Sequence, residues 1–255
     1  MKKRHLVYAI ALIVGMGACA ASAKKQAEAK PDVWKSYNVG TVLFEDKASE
    51  TKGSDIYHRI IPDAESYIKE QARTVLATLY NSPEDSITPV NKIHYTLEDI
   101  EGISAKGGGN GDVTIFYSTR HIEKSFAEND TAKLFFETRG VLLHELTHAY
   151  QLEPQGIGSY GTNRVFWAFI EGMADAVRVA NGGFDGPNAR PKGGNYMDGY
   201  RTAGYFFVWL RDNKDPEFLR KFNRSTLEVI PWSFDGAITV SYTHLRAHET
   251  LSDLV

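Results

Sequence analysis

The sequence predicts an α+β domain, and three observations carry that expectation. Short β-branched or alternating runs come early, at residues 41–45, 92–97 and 113–117. Long stretches of helical periodicity come late, at 134–152, 163–180 and 199–211, and no internal repeat or low-complexity stretch interrupts either set. Strands followed by helices is the α+β order. Of 255 residues, 42% are hydrophobic and 24% charged, a globular balance that excludes a disordered or fibrous chain. The formal charge of −3 at pH 7 excludes a strongly basic nucleic-acid binder.

Taken in order, TVLFE at 41–45 is short, β-branched and aromatic, a first strand. Between 54 and 80, Ile56, Ile60, Tyr67, Ile68, Val75, Leu76 and Leu79 recur at helical spacing, and Pro62 fits only near a helix start. KIHYTL at 92–97 alternates as a second strand, with His94 a strand residue; His58 and His121 have no partner at ligand spacing. GGGNG at 107–111 lacks the Lys-Ser/Thr of a phosphate loop and precedes VTIFY, which is strand-like. It therefore reads as a flexible turn into an edge strand. The last helix, 199–211, places Ala203, Phe206, Phe207 and Leu210 at apolar positions.

Both ends of the chain stand apart from this pattern. Lys2, Lys3 and Arg4 precede the apolar run 6–14, the arrangement of a secretory signal peptide over residues 1–23. Ala21-Ser22-Ala23 fits cleavage before Lys24, while Met16-Gly17-Ala18-Cys19 resembles a bacterial lipobox in which Cys19 becomes a lipidated first residue. Both exits imply export, to the periplasm, the outer membrane or the outside, with membrane contact only through a lipid on Cys19. Without residues 1–23 the chain carries 26 basic and 32 acidic residues. Cys19 is the only cysteine, which leaves no disulfide framework and no thiol nucleophile. Polar residues 24–37 read as a flexible linker, and 38–240 as the domain. VSYTHLRAHET at 240–250 resembles a translated sequencing adapter, so 241–255 is expected to be non-native, and the native chain to continue with a further helix. For that reason His244 and His248, although four residues apart, are not taken as a metal pair.

The informative segment is GVLLHELTHAYQ at 140–151. His144 and His148, at i and i+4, project from one helix face and can share one zinc ion. Glu145 is turned about 100° around the axis, beside the metal, where a general base for an activated water must stand. Val141, Leu142, Leu143, Leu146 and Ala149 make this helix apolar around much of its circumference. Two imidazoles and a carboxylate buried there need a compensating charge, which a metal supplies.

A third ligand is required. The metzincin pattern fails, with Gln151 where its Gly belongs and Pro154 where its third His belongs. The helix that Thr162-Asn163 can cap is apolar except for Arg164 and for Glu171, Asp175 and Arg178 on one face. Glu171 and Asp175 repel at i and i+4 unless a cation lies near. Glu171 is the candidate third ligand, Asp175 the candidate partner for the outer N–H of a ligand histidine, and Arg178 a counter-charge. Exchanged roles for the two carboxylates, or a structural carboxylate–Arg network without metal, remain open at this stage.

HELTHAYQ at 144–151, FIEGMAD at 169–175 and DGYRTAGYFFVWL at 198–210 together resemble the plant basic-secretory-protein family of zinc peptidases and its bacterial members, over residues 40–238. The resemblance implies a zincin-like fold, a small mixed sheet packed on an active-site helix and a ligand helix. It also implies gluzincin-type ligation by the Glu of EGxAD. In that fold an edge strand binds extended peptide by main-chain pairing; Val113 and Ile115 of 113–117 are the candidate substrate-binding positions. A donor for the oxyanion is also needed, with Tyr200 the first candidate and Tyr160 and Tyr196 its rivals. Despite the family's name, this chain is acidic.

The expected function is an exported zinc endopeptidase, monomeric, with one zinc per chain and a peptide or protein substrate. A metal-bearing binding protein without turnover, or a zinc amidase or esterase, are the alternatives, and the intact Glu145 favours an enzyme.

Overall fold

The computed structural model describes residues 32–125, 131–184 and 189–242. The expected signal peptide, Cys19, His244 and His248 lie outside them. From Val33 onward the chain is one compact unit. Trp34 is already buried in its core, edge-on to Tyr37 at 5.4 Å, so packing begins inside the stretch read as linker.

Four strands form one mixed sheet in the order β1-β2-β4-β3. β1 (Thr41–Asp46) runs parallel to β2 (Lys92–Glu98), and β2 parallel to β4 (Asp112–Ser118). β3 (Ser104–Gly109) is antiparallel to β4 and forms one edge, with β1 at the other. This corrects the expected edge strand. β4 is hydrogen-bonded on both sides, and Val113 and Ile115 are 5% and 1% exposed in the core, so neither can meet a substrate. The glycines read as a flexible turn are themselves the edge strand, and only Asn110-Gly111 turns. Both adopt positive φ, 54° and 84°, as a two-residue hairpin loop requires.

Pro62 splits the long periodic stretch in two. α1 (Lys52–Ile60) closes at Ile61, and Asp63 caps α2 (Ala64–Leu79) by accepting from the Ser66 N–H at 3.0 Å. One face of the sheet, with Ile93, Tyr95, Leu97 and Tyr117, shares a core with Ile68, Val75 and Leu76 of α2 and Leu142 and Leu143 of α4 (Thr131–Tyr150). α4 is covered in turn by α5 (Arg164–Ala180), and α5 by α6 (Tyr200–Asn213).

Three helices were not foreseen: α3 (Thr119–Ser125), α7 (Phe218–Glu228) and α8 (Phe234–Ser241). α8 contains Gly236 and β-branched residues and owes its form to tertiary contact rather than propensity. Phe234 meets Trp232 at 4.9 Å, and Trp232 meets Phe169 of α5 at 4.7 Å. Tyr242 stacks on Phe218 at 5.2 Å, so ordered packing runs past the boundary set at 240. No helix among the described residues is long and apolar enough to cross a membrane.

Candidate metal centre

α4 and α5 lie antiparallel, pairing Glu137 with Arg178, His144 with Asp175 and His148 with Glu171. Two local features fix this register. Asn163 caps α5, its side-chain oxygen accepting from the N–H groups of Val165 (2.8 Å) and Phe166 (3.3 Å). On the far side, Gly204 lets α6 approach so closely that a Cβ there would lie 2.8 Å from the Asp175 carbonyl carbon.

Between the helices, Nε2 of His144 and Nε2 of His148 are 3.0 Å apart, and Oε2 of Glu171 lies 3.2 Å from the first and 3.6 Å from the second. One atom from each of the three residues falls within 4.8 Å of the others, a group that can hold a metal ion. Oε2 of Glu171 is buried without a hydrogen bond. A buried carboxylate oxygen with no donor, facing two imidazole nitrogens, has the chemistry of a three-ligand cation site. Of the two carboxylates, Glu171 therefore faces the site, and Asp175 stands behind His144 with Oδ1 2.7 Å from Nδ1. Glu145 is buried on the wall of the same cleft, and among the described residues its carboxylate carries no hydrogen bond or ion pair.

Without metal, His144 and Glu171 are held in charged form by their neighbours. Burial alone would lower the His144 pKa, but the carboxylates of Asp175 and Glu171 on either side of the ring outweigh it and push the imidazole up to about 10. Burial would raise Glu171; the two histidines hold it instead well below the usual carboxylate range.

The tyrosine candidates separate clearly. The Tyr160 hydroxyl donates to Oε1 of Glu171 at 2.6 Å. Tyr200, at φ 41°, lays its ring parallel to the His144 imidazole at 6.1 Å and meets Trp167 edge-on. Tyr196 packs instead on Phe234 at 4.3 Å and does not line the cleft. Arg178 also departs from expectation. Its guanidinium donates to Glu137 at 2.7 Å and to the Gly183 carbonyl at 2.9 Å and stacks on Phe184, rather than balancing Glu171 and Asp175.

The centre opens into a cleft of about 960 Å³ whose opposite wall is Ile103 and residues Ser104, Ala105 and Lys106 of β3. β3 pairs with β4 alone, which leaves its outer main-chain groups toward the cleft side without a strand partner.

The sequence model of the BSP family, described as a peptidase of plants and bacteria, matches residues 39–243. The chain belongs to that family. Comparison with curated proteins and with solved structures gives no match. The BSP match spans every strand, all of the described helices and the whole cleft wall.

Gln151 and the strand segment Ser104–Lys106 of this BSP centre were given no role at the site in the sequence reading. Gln151 served there to reject another pattern and as the end of the HELTHAYQ motif, yet its side chain lies 2.8 Å from Nδ1 of His148. Its place three residues after His148, on the same helix face, was the available signal. Ser104–Lys106 of the edge strand were missed because a Gly-rich run has no hydrophobic alternation to read.

Proposed function

We propose that this chain is an exported, zinc-dependent endopeptidase with a zincin-like fold. The observation that carries the reading is the buried Oε2 of Glu171, which makes no hydrogen bond and faces Nε2 of both His144 and His148, with Glu145 on the same cleft wall. His144, His148 and Glu171 would hold the ion, and two nitrogens plus one carboxylate oxygen form a donor set that suits zinc and leaves a position open. Zinc, when bound, supplies a Lewis acid that acidifies a water and polarises a carbonyl.

The remaining steps belong to the chain. An extended peptide docks along β3, its main chain pairing with the free edge at Ser104–Lys106. Glu145 takes the proton from the attacking water and delivers it to the leaving amine nitrogen, so that one carboxylate serves as base and then acid. Asp175 holds the Nδ1 proton of His144, which keeps Nε2 free to act as a ligand. Tyr200, on the cleft, is the donor available to the developing oxyanion, because the Tyr160 hydroxyl is already donated to Glu171. The formal net charge of −3 fits a peptide substrate rather than nucleic acid. The chain acts as a monomer, delivered across a membrane by residues 1–23.

The test measures bound metal by mass spectrometry and casein cleavage by the parent and Glu145→Gln. One zinc per chain, with cleavage that falls roughly 10²–10⁴-fold in the variant, is expected. Zinc without cleavage would favour a binding scaffold, and a folded chain without zinc would overturn the ligand set.

A further inference from the structure

We propose that Gln151 and Tyr160 are positioning residues that, together with Asp175, occupy the second polar atom of each candidate ligand, so that each ligand presents one atom to the metal. The inference rests on the metal reading above and adds how the ligands are aimed.

Each ligand has two polar atoms, and the structure gives each pair one partner side chain. Asp175 lies 2.7 Å from Nδ1 of His144, Gln151 lies 2.8 Å from Nδ1 of His148, and the Tyr160 hydroxyl lies 2.6 Å from Oε1 of Glu171. The atoms left over are Nε2, Nε2 and Oε2, the three that converge.

The Gln151 amide supplies an independent observation. It is 3% exposed, its nitrogen faces Nδ1, and its Oε1 is buried without a partner. An amide nitrogen donating to Nδ1 would force the ring proton onto Nε2 and close that atom to a metal. A half-turn of the amide brings Oε1 to an Nδ1–H, gives the orphan acceptor its donor and leaves the Nε2 lone pair free. In the metal-loaded chain Gln151 is therefore an acceptor, a neutral counterpart of Asp175.

Tyr160 acts on the carboxylate. A glutamate can bind a metal through one oxygen or two, and a hydroxyl held on Oε1 restricts Glu171 to Oε2. Its loop is pinned by mutual hydrogen bonds of Ser159 and Thr162 at 3.0 Å. This tie keeps one metal position open for substrate.

The experiment uses the full chain loaded with Zn²⁺ or with Co²⁺ as a spectroscopic probe. Tyr160→Phe is expected to bind one metal and to show weaker visible absorption in its Co²⁺ form, as the freed Oε1 raises the coordination number from four to five. An unchanged Co²⁺ spectrum would overturn the Tyr160 role. Gln151→Leu is expected to lose about 10–100-fold in zinc affinity, whereas Gln151→Glu, which can only accept, retains it. Parent-like affinity in Gln151→Leu, or equal losses in both variants, would overturn the Gln151 role. If Gln151→Leu does not fold, histidine ¹⁵N spectra of the zinc-loaded parent decide, because a His148 proton on Nε2 contradicts the proposal. None of these readouts uses cleavage. A parent that binds zinc but cleaves nothing removes the peptidase reading alone; a parent that binds no metal removes both.

Discussion

Oδ1 of Asp175 stands 2.7 Å from Nδ1 of His144, and a glycine on a third helix sets the backbone that carries it there. The candidate ligand histidine is thus aimed from behind by a carboxylate whose own place depends on the α5–α6 crossing. Asp175→Ala is expected to lower metal affinity about 10–100-fold without abolishing the fold. Asp175→Asn, which can still accept from Nδ1–H, should lose less. Competition titration with a chromophoric chelator reads both, and equal affinity in all three proteins would contradict the arrangement.

The crossing gives a second expectation. A Cβ at Gly204 would meet backbone atoms of Asp175 and Ala176 at 2.8 and 2.9 Å, which no rotamer change relieves. Gly204→Ala should therefore cost about 1–3 kcal/mol of stability and weaken metal binding, because Asp175 must shift. Gly161→Ala is the control, since a Cβ there meets nothing within 4 Å. Paired thermal melts and metal titrations distinguish the two.

The acid–base balance of the metal-free centre predicts a stability optimum. The His144 pKa is raised from 6.5 to about 10, so its contribution is complete below about pH 6.5 and is lost as pH climbs toward 10. Glu171 is lowered from 4.5, so its contribution is present above that value and is lost as pH falls further. Metal-free chain should melt highest between about pH 4.5 and 6.5. Zinc replaces the proton on His144, so loading at neutral pH should release about one proton, measurable by calorimetry in buffers of different ionisation enthalpy. A melting temperature of the metal-free chain that does not decline between pH 7 and 10 would contradict this account.

Arg178 and Glu137 supply a structural contrast. The guanidinium is buried and bonded to Glu137 at 2.7 Å, and among the described residues it bonds to none of the candidate ligands. Glu137→Ala should cost about 3 kcal/mol by stranding a buried cation, while metal stoichiometry stays at that of the parent. Loss of metal at parent-like stability would place Arg178 back in the centre.

Much of this architecture was legible because it rests on short-range pattern. His144, His148, Glu171 and Asp175 are set by helical spacing, and the Asn163 cap by the residue type before an apolar run. What escaped depends on long-range contact. The edge strand Ser104–Gly109 carries no alternation and exists because β4 pairs with it. Arg178 shares a helix face with Asp175, yet its long side chain reaches past it to α4, a choice that spacing cannot show. Besides Gln151, Asn110-Gly111 was an overlooked local signal, a hairpin dipeptide concealed among neighbouring glycines.

The three candidate ligands and their partners Asp175, Gln151 and Tyr160 all fall between His144 and Asp175, on one helix, the loop after it and the next helix, and the sheet contributes none of them. An ion placed there fastens two neighbours along the chain instead of joining distant halves. Stripping it should quicken amide exchange in α4 and α5 and leave β1, β2 and β4 protected. On the metal reading proposed above, the protein is assembled before it is charged, and whether a given molecule works becomes a matter of loading rather than of folding.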